Sequence, residues 1–562
     1  VELNINKEST QQGILSQLQK ISTTTDKLLD AKYMSMLDGT PDNYKKVMFQ
    51  WFRARGCEGM EDVSSLCDRW YTITRQGWTG GVLFANPDES SVSTGERTGD
   101  NVGMTCEPST NTTAGQDDYA GNPLFVPLDC NVYLDDDGKP HVTAIDGICG
   151  DFDRYDTAKI VAVLQMAPWC KYTENTDGSY EYSVTDAIGK PGYYPWPDAV
   201  ELADNSVRTW VVHAKYVFDD SWGSCSGQPA RVWGVSHNSQ ITGVRSAWGS
   251  RYCGKTTADD AWVKWMAYIK YASLTLDGIM NGCLSYYNNA LRPAVAETGV
   301  ERVLVTTAQG ANLLVGSTVC LGTAAYTSKS VQCSVVDRKK IIGKETVVVD
   351  GITYTAINID SGGTTFDTDT SLYLTTMQWY TGSTDDVLGN DGSPYSNTST
   401  KEPYKIQGIE QIVGCYEVFG DVILKYAQDE NDVWRQWPSV CRDATNIATS
   451  ITANYTTANY GYPCLETSGW TYSKKLGHDD SMPECMLPSV SGGGSSAFTR
   501  DGYYIEKAGT TGLRGWLSFG SLSRGLAYGG LSCVVGFIGL AYANWNLGGR
   551  LSITGNRGEW SA

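Results

Sequence analysis

The sequence predicts an α+β fold, in which helices and strands are mixed along one chain. Three observations predict it. Hydrophobic residues make up 41% and charged residues 19%, with 33 Tyr and 18 Trp, the composition of a folded chain. Stretches 157–170 and 207–219 read as buried strands, whereas 258–276 reads as a helix carrying Trp262, Trp265, Met266, Ile269 and Ala272. At 562 residues there is room for roughly two to four domains without disulfide staples.

At the start, Ile14, Leu18, Ile21 and Leu28 fit a short heptad seam with Thr25 at the intervening position, so 1–37 is expected to be a helical segment for attachment or oligomerisation. The alternative is one amphipathic helix lying on its own domain. Residues 38–150 are expected to form a loop-rich, β-containing domain, with a polar surface excursion over 86–118. Within it, 130–134 and 141–145 flank Asp135-Asp136-Asp137-Gly138-Lys139-Pro140, a hairpin with an acidic turn. Consecutive aspartates lack the alternate spacing of an EF-hand loop, which favours a plain turn over a calcium site.

Residues 151–562 are expected to form a third unit. Strands are expected at 302–306 and 346–358, a loop at 383–400, and a second core helix from about Tyr404 carrying Ile409, Ile412, Val413, Tyr416, Val418, Phe419, Val422 and Ile423. Residues 489–496, with three consecutive glycines, are expected to be a flexible joint.

Composition excludes several function classes. A formal net charge of −19 repels phosphate backbones and anionic lipid headgroups, so no nucleic acid partner is expected. None of the 16 cysteines stands two to four residues from another, and no two of the four histidines (His141, His213, His237, His478) share one helical face, so no metal site and no cofactor are expected. There is no His, Ser and Asp constellation or phosphate-cradling loop, hence no catalytic residue. No charged-then-apolar leader opens the chain, which leaves secretion by the standard route unsupported. Residues 526–547 carry no formal charge and would suit a membrane span, but Asn544, Asn546, four glycines and the lack of a basic flank favour strands joined by glycine turns.

A second feature of this stretch separates the readings. Between Leu517 and Asn544 there is no Lys, Glu, Gln, Met or Trp. Charge avoidance cannot explain missing Gln, Met and Trp. Together with stop signals, these five are what a codon ending in a pyrimidine cannot encode, so randomising the first two bases of Asn codons leaves this alphabet.

Leu513-Arg514-Gly515-Trp516-Leu517-Ser518-Phe519-Gly520-Ser521-Leu522-Ser523, the glycine-punctuated stretch after it, and Ala543-Asn544-Trp545-Asn546-Leu547-Gly548-Gly549-Arg550-Leu551-Ser552 resemble the variable proteins of diversity-generating retroelements, above all those encoded by bacteriophages. Upstream, Gly414-Cys415-Tyr416-Glu417-Val418-Phe419 is loosely similar to the Gly-Asn-Val-Trp-Glu-Trp segment of that family, one residue shorter between Gly and Glu.

The resemblance implies a C-type-lectin fold for 151–562, related to formylglycine-generating enzymes, with mixed strands, two core helices and long loops. It implies that Arg524, Leu526, Ala527, Tyr528, Ser532, Cys533, Val534, Val535, Phe537, Ile538, Ala541 and Tyr542 are variable ligand-binding positions within 524–542. Trp545 and Arg550 would be scaffold, and Gly525, Gly529, Gly530, Gly536 and Gly539 would punctuate turns.

If exposed, so apolar a set forms a protein-contact patch, with Tyr528, Phe537 and Tyr542 as anchors. Calcium-mediated sugar binding would need a carboxylate-rich loop, and 517–544 holds neither Asp nor Glu, so a protein ligand on a cell surface is expected. The enzyme's close C-terminal cysteine pair is not matched, since Cys464, Cys485 and Cys533 are far apart in sequence. The role implied is a phage tail adhesin on the virion surface, assembled in the host cytoplasm, contacting other virion proteins and forming a homo-oligomer, a trimer before other numbers. A bacterial display protein is the second expectation, and a membrane-inserted protein the third.

Overall fold

The computed structural model describes residues 2–325 and 328–559. Helix and strand are mixed, with strand predominating. Helix α1 (Glu2–Met34) covers the expected N-terminal segment. Its last turns dock on α2 (Pro41–Ala54) and α3 (Ser64–Ile73) through Asp30, which accepts from Arg55 at 2.6 Å, Arg69 at 2.7 Å and the Trp51 indole at 2.9 Å. Helix α2 buries Tyr44, Val47, Met48, Trp51 and Phe52, one stripe at helical spacing. Ile14 and Leu18 farther up α1, and Leu28 between the docked residues Asp26 and Asp30, are exposed, while the Ile21 side chain lies outside the described residues.

The hairpin forms as read, with Leu128–Leu134 paired to Pro140–Ile145. Asp135 closes the turn by accepting the amides of Asp137 and Lys139, and its second oxygen meets His141 at 3.0 Å. The expected boundary at 150 is corrected. Leu128–Leu134 pairs with Ile160–Met166, which pairs with Trp210–Ala214 in one four-stranded sheet, while Thr79–Phe84 pairs with Tyr180–Thr185 in a five-stranded sheet. Residues 38–150 therefore do not close on themselves, because their strands find partners on the far side of 150.

The helix expected at 258–276 is present as Thr257–Tyr271, and all of its residues are buried. Thr256 caps it reciprocally with Asp259, and Ala272 ends it in the left-handed region (φ 49°). The second core helix is not at Tyr404. Tyr404–Ile406, Ile409–Gln411 and Tyr416–Gln428 are strands. Gln407 (φ 46°) and Gly408 (φ +75°) reverse the first pair, and Gly414 (φ +110°) separates the third strand. Tyr416 to Leu424 are buried on both faces, so the alternation that marks a strand is absent from the sequence. Another helix, His237–Trp248, lies outside the expected range, capped by Ser236 and Ser239.

Residues 302–377 carry a separate five-stranded sheet with its own core around Val303, Leu321 and Ile357. The single strand expected over 346–358 is the tip of a hairpin, Val336–Val349 with Ile352–Ile359, turned at Asp350 and Gly351. The expected joint at 489–496 is packed structure. Pro488–Ser491 pairs with Gly469–Leu476, and the Gly493 amide donates to the Tyr472 carbonyl at 2.9 Å. A Cβ on Gly493 would stand 2.6 Å from the Ser473 carbonyl oxygen, so close backbone approach accounts for that glycine.

The largest sheet has ten strands. In spatial order eight of them run Thr456–Thr457, Trp434–Val440, Tyr416–Gln428, Arg514–Ser518, Val534–Val535, Gly502–Ile505, Gly469–Leu476 and Pro488–Ser491. Among the described residues no helix is long and apolar enough to cross a membrane, and 526–547 folds as one 3-10 turn, two short strands and loops.

Candidate binding surface

The segments that carry the family resemblance meet in space. Leu547–Gly548 runs parallel to Tyr416–Glu417, and Arg514–Ser518 lies antiparallel to the same strand. Arg550 is 1% exposed and forms an ion pair with Glu417 at 2.9 Å. It also donates to the carbonyls of Ala214, Lys215 and Glu410, tying the first sheet to the ten-stranded one. Trp545, 4% exposed, stacks on Tyr287 with centroids 4.4 Å apart. Both residues expected to be scaffold sit in packed, fully enclosed positions.

Between these supports the twelve expected binding positions divide. Arg524, Ala527, Tyr528, Ala541 and Tyr542 are exposed, and Leu526 and Phe537 are half-buried. Ser532, Cys533, Val534, Val535 and Ile538 are buried, at most 5% exposed, so the condition of exposure on which a contact patch rests is not met at these five expected ligand-binding positions. The reason is topological. Val534–Val535 is an interior strand flanked by Arg514–Ser518 and Gly502–Ile505, so its two side chains enter cores on opposite faces. The Ser532 amide donates to buried Asp501 at 2.6 Å, and the Cys533 thiol, pushed up by burial, donates to the Tyr528 carbonyl at 3.2 Å.

The exposed positions continue into a row of aromatic rings. Tyr528 lies 4.7 Å from Trp470, Trp470 5.4 Å from Tyr504, and Tyr504 4.5 Å from Phe537. Trp470 and Tyr504 are cross-strand partners on Gly469–Leu476 and Gly502–Ile505. The Arg524 guanidinium sits 5.9 Å from the Trp470 ring and 6.0 Å from that of Tyr416. Tyr528 is 37% and Tyr542 48% exposed, so two of the three expected anchors reach solvent and Phe537 does so only in part.

Sequence reasoning missed Trp470 and Tyr504 because they lie outside the restricted alphabet. Trp470 and Tyr472, alternating with Thr471 and Ser473, were the available strand signal, whereas Gly502-Tyr503-Tyr504-Ile505 does not alternate. Beneath the row, burial pushes the Asp501 carboxyl up to about 8; the Ser532 amide pulls it down and Asp277 adds to the rise. Such a surface offers ring faces, apolar edges and one cation, which suits shape-selective contact.

The histidines do not form a catalytic group. His213 lies between Asp198 and Asp259 in the core, His237 has both ring nitrogens against backbone carbonyls, and His141 bridges Asp62 and Asp135. His478 stacks on Tyr172, 4.3 Å away, apart from the other three. No known protein-family model matches the chain, and a search of curated proteins finds no match.

Proposed function

We propose that the protein is a receptor-binding adhesin, of the kind carried on phage tails, that presents a diversified C-terminal surface on a C-type-lectin scaffold. One observation carries this reading. The segment with the restricted alphabet is clamped at its ends by strand pairing, by Trp545 and by Arg550, while its Tyr528 and Phe537 join Trp470 and Tyr504 in one aromatic row. A rigid frame around a replaceable face is what a binder with changing partners needs.

The working surface is Arg524, Ala527, Tyr528, Ala541 and Tyr542, with Leu526 and Phe537 at its border. Its ligand is a cell-surface protein, gripped by Tyr and Trp faces with little rotamer entropy to lose. The exposed leucines and isoleucine of α1 serve self-association into a trimer, which would join the virion, and the chain performs no catalysis.

The deciding experiment is sequencing of the DNA beside the gene. A near-copy of the final coding segment, differing at adenines and close to a reverse transcriptase, is expected. If no such copy exists, diversification by a retroelement is ruled out. The same locus without tail genes would favour a bacterial display protein.

A further inference from the structure

We propose that Cys320, Cys333 and Asp337, none of them part of the aromatic row, form a binding site for zinc(II). All three come from one short stretch of the 302–377 lobe. Cys320 lies on Thr318–Gly322, Cys333 caps the one-turn helix Lys329–Gln332, and Asp337 is the second residue of Val336–Val349. Sequence spacing hid the site, because Cys320 and Cys333 are separated by a loop that only the fold brings back.

The convergence has a structural cause. Thr318–Gly322 and Val336–Val349 are antiparallel neighbours whose register slips between Val319 and Leu321, so Cys320 stands at an irregularity opposite Asp337 and Arg338. Amide donation from Val335 to the Leu321 carbonyl at 2.9 Å, and from Thr323 to the Val331 carbonyl at 3.1 Å, folds the connecting loop back. The two sulfurs and a carboxylate oxygen consequently lie within 4.8 Å of one another. Tetrahedral zinc with Zn–S of about 2.3 Å and Zn–O of about 2.0–2.2 Å sets its ligands roughly 3.5–3.8 Å apart, so closure needs a movement of no more than about 1 Å.

The donor set selects the metal class. Two thiolates reject magnesium and calcium and favour zinc, and three protein ligands leave a fourth position for water or another donor. Asp337 is already oriented by Arg338 Nε at 2.9 Å and Lys329 Nζ at 3.2 Å, the kind of outer support that ligating carboxylates receive. On binding, both thiols release their protons to solvent and two Zn–S bonds form. Two thiolates and a carboxylate against Zn²⁺ leave one negative charge, which faces the Lys329 and Arg338 cations.

The test uses the full chain in a phosphine reductant, titrated with cobalt(II) as a spectroscopic stand-in and then with zinc(II). A sulfur-to-cobalt band in the near ultraviolet and tetrahedral visible bands should saturate at one equivalent and vanish when zinc is added. Cys320→Ser and Cys333→Ser should each abolish the ultraviolet band, whereas Cys57→Ser should leave it unchanged. Asp337→Asn alters a solvent-facing side chain, so it tests the site in a folded protein. It should weaken cobalt binding and shift the visible bands. No bands in the unmodified chain, bands that persist in both cysteine variants, or an Asp337→Asn titration identical to that of the parent would overturn the site.

Discussion

Arg550 and Glu417, 133 positions apart in sequence, form a buried ion pair at 2.9 Å that joins the end of the last sheet segment to the middle of the ten-stranded sheet. Lys255 approaches the same carboxylate at 3.3 Å. Arg550→Ala removes one partner and leaves Glu417 enclosed, which should cost about 3–5 kcal/mol. Adding Glu417→Gln to that variant should recover part of the loss. Urea denaturation of both variants measures it, and an additive outcome would show that the pair is not coupled.

The division of the expected binding positions gives a second test. Tyr542→Ala and Arg524→Ala should change stability by less than about 0.5 kcal/mol. Val535→Asn places an amide in a closed core and should cost at least about 1–3 kcal/mol from the unsatisfied group alone. Trp545→Ala should cost roughly 3–5 kcal/mol. Thermal melts on these four variants separate frame from face, and equal melting temperatures for Val535→Asn and Tyr542→Ala would refute the division.

Asp501 sets a pH dependence. Burial raises its carboxyl to about 8, against an ordinary value of 3.8, so between those limits the folded state keeps a proton that the unfolded chain releases. This group's contribution to stability therefore falls as pH rises through the window from about 4 to 8. Asp501→Asn should flatten the decline in melting temperature across that range. An unchanged slope would show that Asp501 does not titrate there.

Self-association through α1 predicts a change of mass in solution. Leu18 and Leu28 are 57% and 67% exposed. Leu18→Glu with Leu28→Glu should convert a trimer to a monomer in sedimentation velocity, without altering the melt of the main body. A parent chain that already sediments as a monomer would remove the trimer.

The sequence was most legible where one period dominated. The 257–271 helix had its cap and its apolar pattern, and the hairpin at Asp135 had turn residues between alternating runs. It misled at 404–423, where both faces of a strand are buried and the pattern of apolar residues fits either element. The helix His237–Trp248 went unread because only His237, Gln240 and Val244 of it are buried, a thin stripe, although Ser236 and Gly249 bracket it. At the candidate surface, codon restriction marked out a segment but could not tell exposed Tyr528 from buried Val534, since exposure depends on which strands lie alongside.

The clamp at Arg550 bears on how the chain is made. Tyr416–Gln428 is synthesised long before Arg514–Ser518 and Leu547–Gly548, its neighbours in the sheet, and Asp421 waits still longer for Arg557. On the ribosome the middle strand therefore emerges before the strand that pairs with one of its edges, with Glu417 and Asp421 already within reach of Lys255 and Thr257 but still without their arginine partners. Any message cut short upstream of Arg557 yields a polypeptide whose largest sheet lacks its final fasteners, which exposes it to proteolysis.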